Sequence, residues 1–247
     1  MMQLSEFKNL IANMPVPYQA FASQRTTWAP HIDGNDEAGN ALRTIFGNSV
    51  EVTLSRSDLR SLASKQDLAE FVMATIIWGY PGGMRGNHVK NLIGHLGTLM
   101  RLLATAKAQP IADWDQHYAN VGPINGIGLS TYTKFLSFLS VQVQGHSALI
   151  LDDRIIRVAN QEIFEDLMQF RNLNYHNAAH SYPEYLQCLS EISTRISVSP
   201  EQIEFFLFEF GLNLKPPPAQ RTRLGRATRR STRTLRDKAA QRRLLLR

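Results

Sequence analysis

Residues 122–159 hold most of the groups in this 247-residue chain from which a reaction on an anionic substrate could be built. Gly126 and Gly128 flank Ile127 in a predicted tight turn that opens a helix from about Ser130. Glycines at such a turn let the backbone take positive φ and let another molecule approach it closely. The helix that follows presents unpaired N–H groups at its N-terminus, and these favour an anion such as a phosphate. Downstream, the apolar run 148–151 ends abruptly in Asp152 and Asp153. A carboxylate in that position is either a helix cap or a working group.

The hairpin Gly126-Ile127-Gly128 and the segment Leu151-Asp152-Asp153-Arg154-Ile155-Ile156-Arg157-Val158 occur in the order seen in the helix-hairpin-helix DNA glycosylases. Over roughly 40 residues the chain resembles that superfamily, which includes endonuclease III, the adenine glycosylases and the 8-oxoguanine glycosylases. The resemblance puts Asp152 at the position of the catalytic aspartate, with Asp153 as the alternative. Strand-cutting members carry a lysine two residues after the second hairpin glycine, and here that residue is Ser130. Lys134 lies one helical turn further on, and residues i and i+4 share a helix face. Helical side chains lean toward the N-terminus, so the Lys134 amine can reach the space above Ser130. Lys134 also precedes Asp152 by 18 positions, against 22 for Ser130, and the shorter spacing is close to the family's. The resemblance therefore favours Lys134 as nucleophile. Ser130 at the lysine position leaves open an enzyme with no lysine nucleophile.

The resemblance implies a DNA glycosylase acting on double-stranded DNA, with 8-oxoguanine as the leading substrate and lysine-dependent AP lyase activity. A carboxylate beneath the sugar would stabilise the positive charge that develops as the base leaves, and the base must leave the stack to be reached. The expected DNA contacts are Asn125, Gly126, Ile127, Gly128 and Ser130 of the hairpin, Arg85 of a glycine-rich loop, and Arg154. Trp78, Phe170 and the aromatic residues near 205–210 are candidates for stacking. A non-catalytic hairpin module that only binds DNA is the alternative, and it would have no use for an amine facing a carboxylate.

Composition sets bounds on these readings. Cys188 is the single cysteine, which excludes an intrachain disulfide and a four-cysteine iron–sulfur cluster. No cofactor is expected beyond a structural monovalent cation at the hairpin. His176 and His180 have helical metal spacing but no evident third ligand, so no metal is expected. No apolar run approaches the ~20 residues of a membrane span, and residues 1–14 lack the pattern of a secretory signal. A cytoplasmic, DNA-associated monomer is expected. The net charge of +6 is uneven: residues 215–247 carry 12 of the 27 Lys and Arg and one of the 21 acids. The preceding 214 residues thus hold 15 bases against 20 acids, and give no hint of nucleic acid by count.

The elements that must position these groups read as mainly α. Periodicity predicts helices near 7–14, 65–78, 87–106, 111–120, 130–140, from 154 to about 170, 183–196 and 202–210. A cap is expected at Ser57-Asp58, and Ser199-Pro200-Glu201-Gln202 has the pattern of a capping box. Residues 28–40 read as a polar loop, and Gly94 and Gly97 as a close contact between helices. No alternating run argues for a sheet, and 141–144 is too short to do so. The expected organisation is a helical glycosylase-like domain over 1–214, with the helix-hairpin-helix at about 112–145. A Pro/Arg-rich tail over 215–247 follows, unable to bury enough surface to fold alone and suited to phosphate contacts.

Overall fold

A computed structural model describes residues 1–32, 34–65 and 67–215, and the predicted basic tail lies outside them except for Lys215. The chain begins with a 3-10 turn and α1 (Lys8–Ala12), then β1 (Ala20–Gln24), α2 (Arg25–Trp28) and α3 (Asp36–Phe46). Next come β2 (Glu51–Ser55), α4 (Arg56–Ser64), α5 (Leu68–Gly79), α6 (His88–Gly94) and α7 (Leu96–Ala108). The predicted hairpin joins α8 (Trp114–Ala119) to α9 (Leu129–Phe138). After the short strands β3 (Gln142–Val143) and β4 (His146–Ser147) come α10 (Asp153–Asn160), a 3-10 turn, α11 (Tyr182–Ile196) and α12 (Pro200–Phe210). The fold is mainly helical, as expected. No described helix is long and apolar enough to cross a membrane.

The core is built around α5. Asp67 caps it through the amides of Ala69 and Glu70, and every residue from Phe71 to Trp78 is buried. A helix that is apolar on all sides needs neighbours on all sides, and α3, α4, α7, α9 and the β1–β2 ribbon supply them. Its C-terminal end delivers Trp78, Gly79 and Tyr80 to the site described below.

Several local expectations are corrected. β1 and β2 form an antiparallel ribbon, Ala20 opposite Ser55 and Gln24 opposite Glu51, where no sheet was expected. Its inward positions are masked by a serine: Ser23 is buried because its hydroxyl accepts from the Trp28 indole at 2.9 Å and donates to the Pro81 carbonyl at 2.8 Å. Residues 28–40 are not one loop, since Asn35 caps α3. The cap of α4 is Ser55, paired with Asp58 in a capping box, rather than Ser57. The helix expected over 87–106 breaks between α6 and α7. A Cβ at Gly94 would meet nothing within 4 Å, and one at Gly97 only the Arg101 guanidinium, so neither marks a helix contact. α10 ends at Asn160 instead of reaching 170, and a 3-10 turn takes over at Glu165. Residues 142–147 close as a two-strand hairpin about Gln144 and Gly145, both with positive φ.

The run 148–151 is buried and outside any named strand. Buried backbone groups must find partners, and here side chains provide them. The Tyr182 hydroxyl accepts from the Leu149 amide and donates to the Leu149 carbonyl at 2.7 Å. Tyr185 donates to the Ile150 carbonyl at 3.1 Å, and Thr133 of α9 accepts from the Leu151 amide at 3.2 Å. These bonds hold the segment that delivers Asp152 against both α11 and the hairpin helix. Tyr182→Phe leaves two buried backbone groups of Leu149 unpaired. The expected loss is about 2 kcal/mol of stability, read from the midpoint of urea unfolding.

Candidate active site

The hairpin is shaped by close packing. Gly126 has φ +93°, and a Cβ there would lie 2.4 Å from the His88 carbonyl oxygen at the start of α6. Gly126→Ala therefore faces both backbone strain and a backbone clash. It is expected to cost at least about 2 kcal/mol and to weaken DNA binding, checked by unfolding and by titration with a fluorescent duplex. The hairpin amides are not equivalent. Ile127 donates to the Ile124 carbonyl at 3.3 Å. The amides of Gly128, Leu129 and Ser130 have no protein acceptor among the described residues. They form the N-terminus of the ten-residue helix α9.

Two neighbouring cavities lie beside this hairpin. The larger, about 670 Å³, is a groove lined by Gly126–Thr131, by Tyr80, Met84 and Arg85 of the glycine-rich loop, and by Asp153 and Tyr175. The smaller, about 230 Å³, is a pocket with aromatic walls of Phe21, Trp78 and Phe208, lined also by Lys134 and Asp152. Three strips of chain serve both. Tyr80 faces the groove while Gly79 and Pro81 face the pocket. Ser130 faces the groove while Lys134 faces the pocket. Leu151 and Asp153 face the groove while Ile150 and Asp152 face the pocket. Lys134 and Asp152 thus both line the pocket next to the groove.

Lys134 is 5% exposed. Its Nζ donates to the Ser130 hydroxyl at 2.8 Å and to the Ser130 carbonyl at 3.1 Å, and lies 5.7 Å from the centre of the Tyr80 ring. The reach back over one turn expected from helical geometry is therefore present, and Ser130 and Lys134 act as a bonded pair. The lysine stem packs on Gly79, where a Cβ would come within 3.1 Å of Lys134 Cδ.

Asp152 caps α10, with Oδ1 accepting from the amides of Arg154 at 3.0 Å and Ile155 at 3.2 Å. Oδ2 has no hydrogen-bond donor among the described residues. One carboxylate is therefore both cap and pocket group. Asp153 turns to the groove, accepting from the Tyr175 hydroxyl at 2.9 Å and pairing with Arg157 at 3.6 Å. Arg85 lines the groove, and Asn125 is exposed beside the hairpin without lining either cavity. Arg154 does not line the groove: its guanidinium lies 4.7 Å from the centre of the Phe208 ring. Trp78 lines the pocket as a stacking candidate should, whereas Phe170 is buried against Tyr185.

Sequence reasoning missed a polar group in the same pocket. Arg56 is 1% exposed and forks onto Glu204, with Nη1–Oε2 2.9 Å and Nη2–Oε1 3.2 Å. Its Nε donates to Gln19 Oε1 at 2.6 Å, and the guanidinium lies 5.7 Å from the centre of the Trp78 ring and 5.3 Å from that of Phe205. Burial pushes the Glu204 carboxyl up, and the Arg56 charge opposes that shift. The available signal was Glu204 itself, an acid within an otherwise apolar, aromatic stretch of α12.

The family described as "Putative 8-oxoguanine DNA glycosylase OGG-like protein" matches residues 14–208. None of the curated proteins and none of the solved structures matches the chain. The family match takes in the hairpin, Lys134, the aspartate segment and α12 as far as Phe208, and the chain belongs to this family of OGG-like glycosylases.

Proposed function

We propose that this protein is a DNA glycosylase that removes a damaged base from duplex DNA, with 8-oxoguanine as its leading substrate, and nicks the resulting abasic strand. The observation that carries this reading is that Lys134 and Asp152 line one aromatic-walled pocket next to the hairpin groove. The groove would take the strand, with the Gly128, Leu129 and Ser130 amides on a phosphate. The pocket, too small for much more than a base, would take the extruded one between Phe21, Trp78 and Phe208.

Lys134 Nζ, as a neutral amine, would attack the sugar C1′ and displace the base. The Asp152 carboxylate would stabilise the positive charge that builds on the sugar. Loss of the ring oxygen bond then gives a Schiff base between Lys134 and C1′. Abstraction of a C2′ proton expels the 3′ phosphate and breaks the strand. In a variant of this scheme the lysine stays bonded to Ser130 and water attacks C1′ instead.

Duplexes carrying a single 8-oxoguanine, set beside a panel of other damaged bases, test the proposal. Direct strand nicking is expected for the amine route. Sites that break only on alkali treatment would indicate the water route. Salt-sensitive binding with no product on any duplex would overturn the enzymatic reading in favour of a binding module.

A further inference from the structure

Tyr80 and Tyr175 are placed in matching ways. Each lines the groove, and each hydroxyl is tied to the start of one of the two helices that carry the candidate reactive groups. Tyr80 bonds Thr131 of α9 at 2.7 Å, and Tyr175 bonds Asp153 of α10 at 2.9 Å. The Tyr80 ring is partly buried and lies against Lys134. The Tyr175 ring is 68% exposed.

An exposed tyrosine alone means little. Tyr18 is more exposed still, at 79%, and lines neither cavity. Tyr175 differs in being hydrogen-bonded at its hydroxyl and set in a turn with several internal bonds. Its turn is closed by Asn174, whose Oδ1 accepts from the His176 amide at 2.9 Å and whose carbonyl accepts from Ala178 at 2.8 Å. Asn177 closes it from the other side, its Oδ1 accepting from the Asn174 amide at 2.7 Å. With the hydroxyl fixed on Asp153, a ring in this setting loses little freedom when something stacks on it. The Asp153 carboxylate beside it disfavours a phosphate there, whereas the ring face suits a nucleobase, which it can stack on without reading sequence.

We propose that Tyr175 is a DNA-contact residue whose ring stacks on a base next to the extruded nucleotide and holds the groove-side strand in place during extrusion. The inference rests on the glycosylase reading for where the strand lies, but not for what chemistry follows.

The test is binding of a duplex bearing one tetrahydrofuran abasic site, which offers no base to release, by wild type, Tyr175→Ala and Tyr175→Phe. Thermal unfolding and base release from 8-oxoguanine are measured in parallel. Tyr175→Ala is expected to weaken binding about tenfold or more with an unchanged melting temperature. Tyr175→Phe keeps the ring and is expected to bind within about threefold of wild type. Unchanged binding by Tyr175→Ala would overturn the inference. Equal losses in both variants would also overturn it, because they would make the bond to Asp153, not the ring, the active feature. If wild type releases no base from any duplex while the Ala and Phe variants still separate in binding, the glycosylase reading fails and the Tyr175 contact stands.

Discussion

Replacing Lys134 with methionine is expected to abolish strand nicking and to lower single-turnover base release by on the order of 10³-fold or more. Methionine is the informative choice. The lysine stem packs against Gly79, so a straight, apolar side chain keeps that contact while removing only the amine. The Ser130 hydroxyl loses a donor but remains at the groove and can turn to water. The variant should therefore fold with little change in melting temperature, and loss of activity would report chemistry rather than damage. Ser130→Ala is the control, since it removes the hydroxyl that accepts from Nζ and leaves the amine. If Ser130 were the essential group, the two variants would exchange their effects.

The second large effect is expected at Asp152. Asn is sterically matched and is as good an N-cap as Asp, so Asp152→Asn keeps an oxygen for the Arg154 and Ile155 amides. It removes the negative charge from the pocket, and a loss of about 10²–10³-fold in the rate of base release is expected from removing one such electrostatic contact. Asp152→Ala should lose the rate and also the cap, with a further cost of about 1 kcal/mol in stability. Asp153→Asn should leave the rate near wild type, because that side chain faces the groove, bonded to Tyr175 and paired with Arg157. Comparing the three by single-turnover kinetics and urea unfolding separates the two roles that Asp152 combines.

How far the sequence reveals this site depends on the kind of residue. The turn at Gly126, the reach of Lys134 over Ser130 and the helix start at Asp152 were legible because local rules govern them: turn chemistry, the i to i+4 spacing of a helix, and helix capping. Arg56, Glu204, Gln19 and Phe21 were not, because they come from three distant stretches and meet only through tertiary packing. Tyr182 and Tyr185 carry no local signal that their hydroxyls replace a missing strand partner for 148–151. The β1–β2 ribbon was hidden because Ser23, a polar residue, occupies an inward position. The break between α6 and α7 was obscured because apolar spacing continues across it. For the longer helices element type followed from periodicity, whereas element ends depended on contacts with other parts of the chain.

The most direct measurement is borohydride trapping on a duplex with one 8-oxoguanine, followed by proteolysis and mass spectrometry to locate the adduct. The expected result is a single DNA-linked peptide containing Lys134, absent from Lys134→Met and reduced in Asp152→Asn. A covalent adduct on another lysine or on the N-terminal amine, undiminished in Lys134→Met, would contradict the assignment of Lys134 as nucleophile.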